Sequence, residues 1–588
     1  MFLPGQAIIR GEHASGRWDG DILRIDFQDH IWPMLTLDFP AVSIEKAEGV
    51  ELDVENTGEY PITLFAYAEK ENPYCWSSGL LPLKPGEREK LRILCFRDKS
   101  KGAREAYPLM LGVPGGAVAM TSEYYETPKP AIVETLRFEL EGEGRPAMIA
   151  IHSFGTYGVV NPIYGEDAKQ VYPMMDSYGQ YRHAEWPGKV RRLSDFEKNR
   201  VAEEEAIAQQ PGAPDRNKYG GWTGGPKFKA TGHFYTKQVN GRWWFVDPEG
   251  CLYWAFGPAF IRPSSLAVTG GYEYLFETLA PDGDYYKANI IRKYGKNWKG
   301  AYSDIVHRRL KSWGMNTMGN ASDQELCLMG RTPYATGITT LRYSARYGLG
   351  ELDAAWLSKL DESTARTSEK MADDPYCIGF FIDNEIHDGP EYSRWEYYYS
   401  ACREVMKKYA PNKLYLGSRQ DWHRYPRGAI PVRVDPEVAP DDHDYSKMYN
   451  GYESVLRAYA KYADVLAFNQ YRYTLYNLRM PDYANKPILI GETTVGALDR
   501  GMLHPSLRPT QNQDERAFAC GHILESALDN PWIAGVHWFM YIDWVCTGCA
   551  FNGENMQMGI VDICDTPYPE LLESLKKIGY SMYSRRFK

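Results

Sequence analysis

Two glutamates in this chain each close a short apolar run. GFFIDNE (379–385) delivers Asp383, Asn384 and Glu385, and PILIGE (487–492) delivers Glu492. Taken singly, each glutamate is as easily a solvated loop charge or an ion-pair partner. Taken together at one mouth, two carboxylates are what glycosidic cleavage needs. One stays protonated to donate to the leaving oxygen, and the other is ionised to attack the anomeric carbon. A separation of about 5–5.5 Å makes such a pair retaining, and about 6.5–9.5 Å makes it inverting. Asn384, beside Glu385, is of a type that bonds the sugar 2-hydroxyl, a contact that strengthens in the transition state.

Such a pair needs elements that bring it together. From residue 231 the pattern alternates short apolar strands with amphipathic helices. Strands are expected at 251–260, 315–319, 334–341, 377–383, 413–418, 464–470, 487–492 and 533–541, with helices between them, including 393–410 and 513–529. Eight β–α repeats fit a (β/α)8 barrel over 231–588 better than an open doubly wound sheet. Catalytic groups in that fold lie at the C-terminal ends of strands, and the two glutamates end the fourth and the seventh.

Residues 1–165 read differently. ILRIDF (22–27), ITLFAYA (62–68), EKLRILCF (89–96), AIVETLRFEL (131–140) and MIAIHSFG (148–155) have strand length and β-branched or aromatic content, separated by turn clusters. The expectation is an all-β sandwich of carbohydrate-binding type. Residues 166–230 form a linker wrapping on the barrel. It carries a helix over 193–210 capped by Ser194 or Asp195, then a Gly/Pro-rich connecting loop, PGAPDRNKYGGWTGGPK.

Composition narrows the classes. The 588 residues carry a net charge of −10, which argues against a broad nucleic-acid footprint. No apolar run reaches the roughly 18 residues of a membrane span, so no membrane partner is expected. The start, MFLPGQAIIRGEH, shows no basic segment followed by an apolar stretch. As it stands the chain reads as cytoplasmic, or as periplasmic or secreted if a leader precedes it. Ten cysteines suit a reducing compartment rather than a disulfide scaffold. Tyrosine is heavy, with 44 residues beside 16 Trp and 21 Phe, and such rings stack on the C–H faces of sugars as well as fill cores.

Other motifs are weaker. Cys546 and Cys549 form a lone CxxC, better read as ordinary thiols than as half a zinc site. Asp441, Asp442, His443 and Asp444 read as a solvated loop. With no GxSxG, HExxH or Walker A, no cofactor and no metal are expected.

The two strand ends also resemble known signatures: FFIDNE and LIGE are similar to the acid/base and nucleophile motifs of the clan A glycoside hydrolases. The chain more specifically resembles the family 50 glycoside hydrolases, the β-agarases. The matching stretches are YGQYRHAEWPGKV (178–190), KYGGWTGGPKFKATGHF (218–234), GRWWFVDPEG (241–250), MNTMGNASD (315–323), GALDRGMLH (496–504) and ENMQMGIVDICDTPYPE (554–570), running from about 178 to the C-terminus. The resemblance implies an N-terminal β-sandwich before a (β/α)8 barrel. It also implies retaining hydrolysis of β-1,4-galactosidic bonds in agarose, often exo-acting with release of neoagarobiose. Carried onto matching positions, Glu385 is the acid/base, Glu492 the nucleophile and Asn384 the 2-hydroxyl partner. Arg262, Asn320, Asp323, Arg419, Asn469, Tyr471, His504, His537, Trp538 and Tyr541, at or just beyond strand ends, are candidate subsite residues.

The sequence departs from the family at two places beside the expected −1 subsite. Thr493, Thr494 and Val495 stand where agarases carry an aromatic–His–aromatic run, and Met540 where Gln is common. These changes point at the sugar accepted rather than at bond cleavage, leaving other red-algal galactans (porphyran or carrageenan fragments) or a β-galactoside as alternatives. A catalytically inactive carbohydrate-binding protein is the alternative of another class. The partner in every case is a galactan polysaccharide or oligosaccharide. The sandwich either contacts glycan through aromatics such as Trp76 or Tyr74 or only shapes the active-site rim, the second being the favoured role. Loops at 263–300, 420–450 and 541–558 are placed to shape a pocket.

Overall fold

The computed structural model describes residues 7–30, 32–69, 77–97, 101–115, 117–118, 132–141, 145–161, 163, 165–341, 348–386, 388, 391–421, 445–478, 480–550 and 552–588. Tyr74, Trp76, the acidic run 441–444 and most of the loop 420–450 lie outside the described residues.

The N-terminal region is built from two antiparallel five-stranded sheets. One runs in the order Ile8–Glu12, Met34–Ser43, Ile132–Leu140, Ile62–Glu69, Ser78–Leu83. The other runs Ala14–Asp19, Ile22–Phe27, Ala147–Tyr157, Gly49–Asn56, Arg88–Leu94. Alternation dictates the faces: in ILRIDF, Leu23, Ile25 and Phe27 are buried while Arg24 and Asp26 face outward. These residues join Leu35, Leu37, Val50, Leu52, Leu64, Leu91 and Phe138 in one core between the sheets. The strands expected from sequence lie where expected.

A second small sheet was not anticipated. Trp222–Lys227, Cys251–Tyr253, Arg242–Val246 and Tyr235–Val239 form a four-stranded antiparallel sheet. WTGGPK, read as part of a loop, is its first strand because Trp222 pairs with Leu252 across the sheet. The run expected as one strand at 251–260 accordingly breaks in two, at Trp254. Phe245 and Tyr253 from this sheet, with Phe234 and Tyr219, pack into a cluster with Ala255, Ala335, Ile378, Leu414, Val465, Ala467, Leu489 and Ala534. Those eight are small or aliphatic residues from the parallel strands described next, so the aromatic group plugs the end away from the glutamates.

The parallel segments hydrogen-bond in a cycle. Ala255–Pro258 pairs with Ile533–Trp538, which pairs with Ile488–Thr493, which pairs with Leu466–Asn469. Gln420 bridges to Phe468, Leu414–Tyr415 pairs with Cys377–Ile382, and that strand pairs with Tyr334–Ile338. Met318 bridges to Tyr334, while the amides of Asn316 and Gly319 donate to Phe256 and Pro258, returning the cycle to its first strand. Helices cover the outside. Tyr392–Tyr409 buries Trp395, Tyr398, Tyr399, Cys402, Val405 and Met406 at helical spacing. Gln513–Asp529 starts where Asn512 accepts from the Glu515 amide.

The helix expected at 193–210 spans Leu193–Gln209, with a corrected cap. Arg192 is the N-cap residue, and Asp195 sits three positions on, where its Oδ2 accepts from the amides of Arg191 (2.9 Å) and Arg192 (3.1 Å). A carboxylate at that position satisfies amides at the helix start without being the cap itself. This helix is held to the helix Trp298–Ser312 by a buried ion network. Arg309 donates to both oxygens of Asp565 (2.6 and 2.9 Å) and of Glu203 (2.5 and 2.8 Å). Lys293 donates to the same two carboxylates, and Tyr286 and Tyr294 to Asp565. Arg309 and Asp565 side chains are both 0% exposed.

Burial alone would raise the Asp565 carboxyl, but Arg309 and Lys293 outweigh it and hold the group well below its ordinary 3.8. The unfolded chain therefore binds this proton at higher pH than the folded one, and the stabilisation is present above about pH 4 and lost as pH falls. Asp565→Asn, which strands Arg309 beside Glu203 alone, should cost about 3–5 kcal/mol at neutral pH. Chemical denaturation checks this, and the gap to wild type should narrow below about pH 4.

Candidate active site

The fourth parallel strand ends at Ile382, and the chain then turns sharply. Asp383 and Glu385 both adopt left-handed backbone, with φ of 60° and 50°. Such a conformation costs energy for a non-glycine residue and persists where surroundings over-determine it. Here the surroundings are four donors on one buried carboxylate. Asp383 accepts from the Thr340 amide (2.6 Å), the Thr340 hydroxyl (2.6 Å), the Leu341 amide (2.8 Å) and the Tyr398 hydroxyl (2.9 Å). Burial pushes the Asp383 carboxyl up and the donors oppose it. Asp383 is thus an anchor, and the turn it locks presents Asn384 and Glu385 half-buried at the mouth.

Glu492 sits near the end of the seventh strand and is 6% exposed. Arg419 donates to its Oε1 (2.5 Å) and Tyr471 to its Oε2 (2.7 Å). Arg419, itself at φ 46°, lays its guanidinium 5.4 Å from the centre of the Phe381 ring. The two glutamates meet through Asn469. This residue pairs in register with Glu492 on the neighbouring strand, and its side-chain amide donates to Glu385 Oε1 (2.7 Å) and Asn384 Oδ1 (3.1 Å). One amide therefore ties the turn after strand four to the strand beside Glu492. Arg419 offsets the Glu492 charge at contact distance.

The remaining candidates separate into two groups. Arg262 is half-buried, stacks 4.5 Å from the centre of the Phe260 ring and donates to the Ala321 carbonyl (3.1 Å). Asn320 is buried over Gly337, where a Cβ would lie 2.3 Å from its Oδ1. The others are engaged by the protein itself. Asp323 caps the short helix Gln324–Cys327 by accepting from the Glu325 amide (2.8 Å). His504 is fully buried, its ring 5.3 Å from that of Phe96 in the N-terminal region. Trp538 is fully buried and donates from its indole to the Met558 carbonyl (2.9 Å). Tyr541 is fully buried, with its hydroxyl accepting from Arg309 in the ion network. Thr493, Thr494, Val495 and Met540, expected beside a subsite, are also fully buried, so the departures they represent cannot act by touching sugar.

The residue that sequence reasoning missed is Phe539. It lies half-buried between Trp538 and Met540, with its ring edge-to-face on Phe260 (5.1 Å) and on Tyr471 (6.5 Å). Trp544 adds a further edge contact to Phe260 (6.3 Å). An aromatic wall thus flanks the Glu492 partner Tyr471. Alternation along the eighth strand carries the signal: Trp538 points into the outer core, while His537 and Phe539 point the other way.

Loops around the mouth are pinned by the N-terminal region. Gly112 exchanges hydrogen bonds with the Asn555 side chain (2.9 and 2.8 Å). A Cβ there would lie 1.9 Å from the Leu503 carbonyl oxygen, so only glycine permits the approach. Cys546 and Cys549 are buried, and burial raises the Cys546 thiol.

The fold, a ring of parallel strands following two antiparallel sheets, is shared with solved structures, agarases among them. PfGH50B matches with a TM-score of 0.74 at 22% identity over 99% of both chains. The agarase AgWH50C matches at 0.72 and 21%, covering 100% of this chain and 99% of that one, and an exo-beta-agarase at 0.73 and 19%, covering 100% and 98%. At these identities the likeness speaks to the fold. In sequence the chain is similar to beta-agarase B of Vibrio sp. (strain JT0107), 26% identical over 565 residues covering 73% of this chain, and to beta-agarase A of the same strain, 23% identical over 548 residues covering 70%. The matches cover 56% and 52% of those proteins, so the chain spans about half their length. No family model matches. The resemblance to the family 50 β-agarases read from the motifs therefore holds across most of the chain.

His537 offers a test of the interior. It is fully buried beside Arg419, and neither ring nitrogen has a hydrogen-bond partner among the described residues. Burial first, and then Arg419, lower it to about 3. The unfolded chain protonates this residue below about 6.5 while the folded chain does not, so stability declines as pH falls from there toward 3. His537→Gln should remove a slope of up to about 1.4 kcal/mol per pH unit across pH 4–6, read by denaturation at each pH. An imidazole that titrates near 6.5 by NMR would contradict this.

Proposed function

We propose that the chain is a retaining glycoside hydrolase that cleaves β-1,4-galactosidic bonds of agarose or agaro-oligosaccharides, working from a chain end with release of neoagarobiose. In this reading residues 231–588 are a catalytic (β/α)8 barrel, 1–165 a carbohydrate-binding-like β-sandwich and 166–230 the linker between them. The observation that carries it is the Asn469 amide, bonded to Glu385 and in register with Glu492. The similarity to beta-agarases supports the choice of galactan.

The reaction divides between the two glutamates. Glu492 attacks the anomeric carbon while Glu385 gives its proton to the departing glycosidic oxygen, leaving a glycosyl ester on Glu492. Glu385, now ionised, takes a proton from water as that water attacks the same carbon, and the Glu492 carboxylate departs. Arg419 and Tyr471 hold one oxygen of Glu492 each. They orient the attacking group and stabilise the carboxylate that leaves in the second step. Asn469 engages one Glu385 oxygen and so sets the side on which the proton is carried. Asn384 meets the 2-hydroxyl, and Phe539 offers an aromatic face to the sugar.

Glu492→Ala should lower turnover of neoagaro-oligosaccharides by at least about a thousandfold, with azide restoring it as an α-linked glycosyl azide. Near-normal activity of that variant, or an α-anomer as first product of the wild type, would refute the mechanism. Asn469→Ala should lower kcat/KM about ten- to a hundredfold with folding intact by circular dichroism.

A further inference from the structure

The segment that supplies Tyr471 carries a second feature on its other side. Tyr471 is fixed to Glu492, and Tyr473 is fixed by its hydroxyl to the Pro509 carbonyl (2.5 Å) and by its ring to Phe65 (6.2 Å, stacked). Between them Arg472 is held in one direction. Its guanidinium lies 5.5 Å from the centre of the Trp32 ring, and it has no hydrogen-bond or ion-pair partner among the described residues. Half-buried guanidinium groups normally find acceptors, because removing five donors from water without replacing them is costly.

Its neighbours deepen the imbalance. Arg137 stacks 4.5 Å from the centre of the Tyr67 ring and is paired with Glu139 (2.7 Å). Arg508 is buried close by, and both arginines oppose the charge on Arg472 while Tyr67 and Glu139 favour it. Burial leads these effects and brings Arg472 down to about 10. Three guanidiniums and two aromatic faces therefore gather around one carboxylate, one residue beyond a group that touches Glu492.

We propose that Arg472, on the Trp32 face, is a subsite for the sulfate half-ester of a galactan. The proposal deepens the function above and rests on it for the sugar. A guanidinium fork matches two oxygens of a tetrahedral sulfate, and the indole takes the C–H face of the same or the adjoining sugar. Charge complementarity selects the occupant: a neutral sugar would leave the Arg472 donors unanswered. The preferred chain is then an agar-type galactan in which neutral units at the glutamates are flanked by a sulfated one.

The test compares neutral agaro-hexasaccharide with an agar-type hexasaccharide of the same length bearing one sulfate ester. Titration calorimetry on the full chain with Glu492→Gln reads binding without turnover. The sulfated ligand should bind about tenfold more tightly or better, and Arg472→Met, which keeps an apolar stem over Trp32, should remove that preference. Arg472→Lys should restore part of it. Equal affinity for the two ligands, or a preference that survives in Arg472→Met, overturns the proposal. Sodium sulfate binding as tightly as the sulfated sugar would assign a free-anion site and overturn it too. Hydrolysis of the two ligands by the wild type is read separately, so loss of activity on both would refute the hydrolase reading while the binding result still decides the subsite.

Discussion

The mouth of this protein depends on a carboxylate buried beneath it. Asp383 gathers four donors from the third strand's loop and from the helix Tyr392–Tyr409, and those bonds hold the chain in a turn that a non-glycine residue does not adopt unaided. Asn384 and Glu385 follow directly from that turn. Their partner Asn469 meets them because its own strand runs beside the one bearing Glu492. The carboxylate pair is thus positioned by backbone geometry, and side-chain freedom contributes little to it.

The same economy appears further out. Arg419 links strand five to Glu492, Phe381 supports Arg419, and Gly112 brings the N-terminal sheets onto the loops after strands seven and eight. The Arg309–Asp565–Glu203–Lys293 network locks the helix Leu193–Gln209 and Tyr541 to the outer layer. Each is a buried charge set answered within itself. Arg472 stands apart as a half-buried charge with no hydrogen-bond or ion-pair partner among the described residues.

Much of this was legible in the residues. Period-two alternation marked the N-terminal strands, and apolar runs ending in Glu marked the fourth and seventh parallel strands. Other features left no local trace. WTGGPK looks like a loop by composition, and only its pairing with Cys251–Tyr253 makes it a strand. Trp538 and Tyr541 are residue types that often bind sugar, yet their side chains point into the outer core, and Phe539 between them faces the mouth. Asp383 reads as a third candidate acid until its four donors are counted. Asp323 and His504 were ambiguous for the same reason: strand-end position does not say which way a side chain turns.

In the proposed mechanism Glu492 forms a covalent bond with the sugar while Glu385 handles the proton. The most direct measurement is mass spectrometry of peptides after reaction with a 2-deoxy-2-fluoro β-galactoside carrying a good leaving group, which slows the second step and traps the intermediate. One sugar per chain is expected, attached to the peptide containing Glu492, with inactivation that agaro-oligosaccharide slows. A label on any other residue, or unlabelled protein that still turns the reagent over by inversion, would contradict it.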